Sequence, residues 1–264
     1  MRRIQRLFAS IALTFSCTVA AMPQAVEPTE WAFFFQSASA VGTIAILDTR
    51  GQTETLLVYD SKRAQQRFSP ASTYKIPHTL FALQSKVVQD EFDVIVWDKR
   101  QRGNPAWDKD QDLRSAMRSS TVWVFERFAQ MIGLPQERKW MQQIGYGNAA
   151  TSGTAPFWVA GDLAISAIEQ LEFLQKLYRN ALPFDLAHQR LVKDLMIHEA
   201  GSNWILRAKT GWTGSIGWWL GWVEHPDGAV FFAMNIDTPN RMGDIPKRQL
   251  ITRQVLRSIN ALPK

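Results

Sequence analysis

The sequence predicts an α+β (mixed) protein: a central antiparallel sheet built from both ends of the chain, covered by terminal helices, with a helical lobe set between the two strand groups. Three observations carry this. Strand-like runs occur early, within residues 41–60, and return late, within 204–235. From about 70 to 201 the signals are mostly helical instead. Within each strand group the connections are close, which suits antiparallel neighbours.

In chain order, residues 1–6 are basic and residues 7–21 apolar, with small Val19 and Ala21 before a cleavage position. Residues 1–21 therefore read as a secretory signal peptide, too short and wrongly flanked for a membrane anchor. The remaining 22–264 read as a single catalytic domain, with a sheet lobe of about 30–65 and 202–264 and a helical lobe of about 66–201. Val41 to Asp48 and Glu54 to Asp60 flank a turn and form a hairpin. Ser166 and Glu169 have capping-box spacing, and Leu171, Leu174, Leu177 and Tyr178 follow at helical intervals. Gly133, Gly145 and Gly201 stand where helices are expected to stop. Strands return at Trp204–Lys209, Trp218–Val223 and Ala229–Asn235, the last two joined by a turn at 224–228. An amphipathic helix over about 246–262 closes the chain.

Composition narrows the partners. The chain is 46% hydrophobic and 20% charged, an ordinary globular balance. Loss of Arg2, Arg3 and Arg6 with the signal lowers the net charge from +6 to +3, and no basic run points to nucleic acid. The single cysteine, Cys17, lies in the signal, so the mature chain has no disulfide. No later apolar stretch reaches the ~20 residues that span a bilayer. A soluble, exported, periplasmic protein is expected, without lipid anchor, membrane or nucleic-acid partner; a homodimer is left open.

Ser72 and Lys75 lie one helical turn apart in Ser69-Pro70-Ala71-Ser72-Thr73-Tyr74-Lys75. Pro70 suits a first helical position and Ser69 an N-cap. Ser72 then falls in the first turn, near free backbone N–H groups, with Lys75 on the same face. A hydroxyl beside an amine at a helix start is how a Ser–Lys nucleophile is built. By itself the motif more often marks a capped surface helix with an exposed Lys. Downstream come Ser120-Thr121-Val122, Tyr146-Gly147-Asn148, Phe157-Trp158, Lys209-Thr210-Gly211 and Trp218-x-x-Gly221, each weak alone.

In this order the motifs resemble the serine penicillin-recognising enzymes, and among them the class D β-lactamases (oxacillinases), over nearly the whole mature chain. The resemblance implies a β-lactamase/transpeptidase-like fold and hydrolysis of penicillin-type β-lactams, conferring antibiotic resistance. Ser72 would form an acyl-enzyme, with backbone N–H groups of Ser72 and Trp212 as its oxyanion hole. Ser120 would relay a proton to the leaving nitrogen. Lys209 and Thr210 would steer the electrostatics, and Thr210, Gly211, Trp212, Val122 and Arg248 would serve the substrate. Judged without the family, Arg248 reads as a surface charge and Trp158 as a packed aromatic.

Lys75 would be the base, as an N-carboxylated lysine made with carbon dioxide or bicarbonate, and Trp158 would donate its indole N–H to it. A free lysine is neutral in only about one molecule in 2,500 at pH 7. Burial by neighbours such as Ile76, Val122 and Trp158 would have to supply about 4.6 kcal/mol to make it half neutral. One departure stands out: the family usually has Phe after Ser-Thr, whereas this chain has Tyr74, whose buried hydroxyl needs a partner.

Other readings are weaker. Gly145–Ala150 superficially fits a dinucleotide fingerprint but follows a helix. His78, His188, His198 and His225 lack zinc-ligand spacing and read mostly as surface or cap residues, so no metal is expected. No Gly-x-Ser-x-Gly elbow occurs. A penicillin-binding transpeptidase or carboxypeptidase, or a β-lactam sensor domain, shares the motif set and remains an alternative.

Overall fold

The computed structural model describes residues 22–263, so the expected signal peptide lies outside the described residues. One sheet of seven strands runs β1(Ala25–Val26)-β3(Thr55–Tyr59)-β2(Gly42–Asp48)-β7(Gly228–Asp237)-β6(Ile216–His225)-β5(Ile205–Trp212)-β4(Ile197–Ala200) across its width. All neighbours are antiparallel except β1 and β3. The two ends of the chain meet where Ile44 lies opposite Met234 in the β2–β7 pair. The helices are α1(Trp31–Ser37), α2(Ser61–Gln65), α3(Lys75–Gln84), α4(Leu113–Ser119), α5(Val122–Ile132), α6(Leu134–Ile144), α7(Ala167–Tyr178), α8(Leu186–Leu195) and α9(Ile245–Ser258).

Both faces of the sheet are buried, so its inner strands read as nearly continuous apolar runs. One face, with Ile46, Trp219, Phe232 and Met234, packs on Trp31 and Phe35 of α1 and Ile251 and Val255 of α9. The other, with Leu47, Trp218, Trp222 and Phe231, joins the helical lobe through Leu171 and Leu174 of α7. The expected central sheet with terminal helices and a helical lobe is thus present, the terminal helices lying on one face only.

Local chemistry explains the boundaries. Ser166 and Glu169 make the capping box in both directions, Glu169 N–H to Ser166 Oγ at 3.2 Å and Ser166 N–H to Glu169 Oε2 at 2.9 Å. Gly133 and Gly145 end α5 and α6 as expected. Gly201 does not end a helix. It turns the chain from β4, a strand absent from the sequence reading, into β5, its N–H bonding Trp204 O at 2.9 Å. Among the described residues, no helix is long and apolar enough to cross a membrane.

Candidate active site

Residues 71–74 form a 3₁₀ turn that runs directly into α3 at Lys75. Pro70, not Ser69, stands at its cap position. The Ser69 hydroxyl instead donates to Trp158 O at 2.9 Å and lies 3.1 Å from Val159 O, tying this turn to a distant loop. Lys75 Nζ lies 2.8 Å from Ser72 Oγ. Lys75 is wholly buried, while Ser72 keeps some exposure, so a ligand can reach the hydroxyl but water does not surround the amine. Burial first, then the nearby charge of Lys209, holds the Lys75 amine well below its ordinary range, against a weaker pull from Glu126. The bland alternative, a capped surface helix, is excluded.

Strand β5 brings the second pair. Lys209 Nζ donates to Ser120 Oγ at 3.0 Å and to Thr210 O at 3.0 Å. Burial, followed by the charge of Arg248, lowers Lys209 to about 7. Ser120 links α4 to α5 in a left-handed conformation, φ 55° and ψ 41°, which costs a non-glycine residue on the order of 1–3 kcal/mol. Gly211 packs against the nucleophile turn: an added Cβ would lie 2.8 Å from Pro70 O and 3.1 Å from Thr73 Cγ2. Its hydrogen side chain is what lets β5 approach Ser72. Strand β4 pairs with β5 only as far as Arg207, and Ala208 N–H bonds Met196 O beyond it. Alternation along β5 puts the Thr210 and Trp212 N–H groups on that same, now unpaired edge.

Arg248 is not the surface charge its residue type suggests. It is buried from α9 behind β5, and Nη1 donates to Gly211 O at 2.6 Å. Burial lowers it to about 10. Trp212 is half-buried, its indole donating to Thr238 Oγ1 at 3.1 Å. Val122 opens α5, half-buried, one turn before Phe125, whose ring lies 5.1 Å from Lys75 Nζ.

The Tyr-Gly-Asn motif acts as a latch. Gly147, at φ 52°, approaches Ala164 so closely that a Cβ would sit 2.2 Å from its carbonyl oxygen. Asn148 Nδ2 donates to Asp162 O at 2.7 Å, and Ala164 N–H donates to Asn148 Oδ1 at 2.9 Å. Pinned this way, the loop between Asn148 and Asp162 carries Phe157 and Trp158 into the interior. Trp158 Nε1 is buried with no acceptor among the described residues.

Sequence reasoning missed two residues here. His78 is fully buried rather than a surface or cap residue, and Glu137 of α6 is buried beside it. Glu137 is the partner that the Tyr74 hydroxyl requires. The only signal was that requirement; nothing in the helical pattern of α6 sets Glu137 apart.

Comparison with known proteins shows the family. Residues 40–257 match the penicillin-binding protein transpeptidase domain family. The chain is 56% identical to β-lactamase OXA-15 of Pseudomonas aeruginosa, covering 98% of this chain and 95% of that protein. It is 58% identical to β-lactamase OXA-3 of the same organism over 90% of this chain and 86% of that one. A crystal structure of the class D β-lactamase YbXI from Nostoc superposes with a TM-score of 0.83 at 37% identity, over 88% of this chain and 99% of that chain. A buried lysine against a reachable serine, on a scaffold shared with these proteins almost end to end, makes this chain a member of the penicillin-binding transpeptidase family and, within it, of the class D β-lactamases.

Proposed function

We propose that the protein is a periplasmic serine β-lactamase that hydrolyses penicillin-type antibiotics and so confers resistance. The observation that carries this is the 2.8 Å contact between a buried, neutral-leaning Lys75 and a reachable Ser72 hydroxyl. Ser72 Oγ attacks the lactam carbonyl carbon and gives up its proton to the base at Lys75. The Ser72 and Trp212 N–H groups hold the oxyanion; removing one such donor costs about 2.7–4 kcal/mol in rate. As the lactam C–N bond breaks, the nitrogen takes a proton through Ser120, supported by Lys209. Thr210, Gly211, Val122 and Arg248 line or back the substrate, with Arg248 adding positive charge toward its carboxylate. Water then cleaves the Ser72 ester.

Lys75 acts here as an N-carboxylated lysine, formed with carbon dioxide or bicarbonate, which supplies an anionic base for both steps. A neutral amine is the form that takes up carbon dioxide, and the solvent-free surroundings of Lys75 favour it. The buried Trp158 Nε1 without an acceptor suits a carboxylate partner. No metal enters this mechanism. Residues 22–264 act as one catalytic domain released from a 1–21 signal peptide.

Hydrolysis of a chromogenic cephalosporin tests the reading. Many turnovers per enzyme are expected, slowed at about pH 5 and restored by bicarbonate, since protonating the lysine releases carbon dioxide. One stoichiometric burst would instead favour a penicillin-binding protein or sensor. Turnover indifferent to bicarbonate at that pH would remove the carboxylated lysine.

A further inference from the structure

Tyr74, Glu137 and His78 form a polar cluster that none of these steps uses. All three are fully shut off from solvent. The Tyr74 hydroxyl donates a short hydrogen bond to Glu137 Oε2. His78 Nε2 lies 2.7 Å from Glu137 Oε1, but off the line of a straight hydrogen bond. Tyr74 is therefore the only well-aligned side-chain donor to Glu137 among the described residues. Burial, and then the neighbouring Glu137 carboxylate, hold the phenol well above its ordinary range, so it stays protonated and donating. Glu137 also sits in the first turn of α6, where free N–H groups favour a carboxylate.

The cluster presses on the walls around Lys75. The Tyr74 ring stacks on Trp158 at 5.6 Å between centroids and 27° between planes. His78 meets Trp158 edge-on at 5.2 Å, and packs at 5.6 Å on Phe125, the ring beneath Lys75 Nζ. Tyr74 and His78 also bracket Lys75 in sequence. A phenylalanine at 74 could stack on Trp158 but would have nothing to hold its far end. The hydroxyl–carboxylate bond anchors that end to α6.

We infer that Tyr74 and Glu137 are positioning residues: by fixing the Tyr74 ring they fix the Trp158 indole, and with it the donor that serves Lys75. This rests on the carboxylated-lysine reading above. Neither residue touches substrate.

The test measures, for Tyr74→Phe, Glu137→Ala, Glu137→Gln and the Tyr74→Phe/Glu137→Ala double variant, the melting temperature and the bicarbonate concentration giving half-maximal turnover. Tyr74→Phe and Glu137→Ala should each raise that concentration about tenfold, the weight of one partly lost hydrogen bond to a charged group. KM at saturating bicarbonate should stay near the native value. The double variant should be no worse than the poorer single one, and Glu137→Gln, which keeps an acceptor for the phenol, should stay close to native. Tyr74→Phe removes a single oxygen and carries the decision if Glu137→Ala folds poorly. Lower melting temperatures with an unchanged bicarbonate requirement would overturn the inference, as would effects that multiply in the double variant. A native enzyme that turns over without responding to bicarbonate would remove the carboxylated lysine itself, and this inference with it.

Discussion

Lys209 shows at the residue scale how burial becomes a pH dependence. Its amine, ordinarily at 10.5, is brought to about 7 by burial and by Arg248. Between those two values the folded protein has shed a proton that the unfolded chain still binds. Stability therefore rises with pH across that window and is least below about 7. Lys75 adds a contribution of the same sign. Urea unfolding of Lys209→Met should show a flatter rise between about pH 6 and about pH 9 than the native protein. Identical slopes would reject burial as the cause. The same variant should lose turnover, because Ser120 loses the donor that holds its hydroxyl 3.0 Å away.

At the scale of elements, the Asn148 latch sets where Trp158 sits. Asn148 is itself exposed, so Asn148→Ala should cost only about 1 kcal/mol of global stability. Proteolysis within 150–164 should nevertheless accelerate, because the loop loses two bonds to Asp162 and Ala164. Equal cleavage rates in the two proteins would mean the loop is held elsewhere. Elements like these were unevenly legible. The hairpin, the Ser166 capping box and the three late strands could be read because apolar alternation and caps leave marks in sequence. Strand β4 could not: Ile-His-Glu-Ala is exposed throughout and pairs through its backbone, so no side-chain pattern announces it. Ser69 was misread because its type suits an N-cap, and only the fold reveals the Trp158 carbonyl it meets instead. The Ser–Lys pair was visible as spacing. Glu137 was not, since a glutamate buried in an amphipathic helix looks like any solvated one until its partner arrives from the turn that carries Ser72.

On the scale of the whole molecule, one sheet serves two cores, so neither lobe has a complete interior without it. This supports treating 22–264 as one cooperative unit. Phe232→Ala, on the face toward α1 and α9, should cost about 3–5 kcal/mol. Although Phe232 lies on the face away from the helical lobe, activity and far-ultraviolet circular dichroism should still be lost at the same urea concentration. Separated transitions would divide the chain into two folding units. The break in pairing after Arg207 has a further consequence for association. A bare strand margin invites another polypeptide to zip onto it, and long margins breed fibres. Here the gap is stopped at one end by β4, and Pro70 packs on the sheet face at Gly211 beside it. What the gap offers a guest is two backbone donors, the Thr210 and Trp212 N–H groups, and that is the span of a short amide and not of a whole strand.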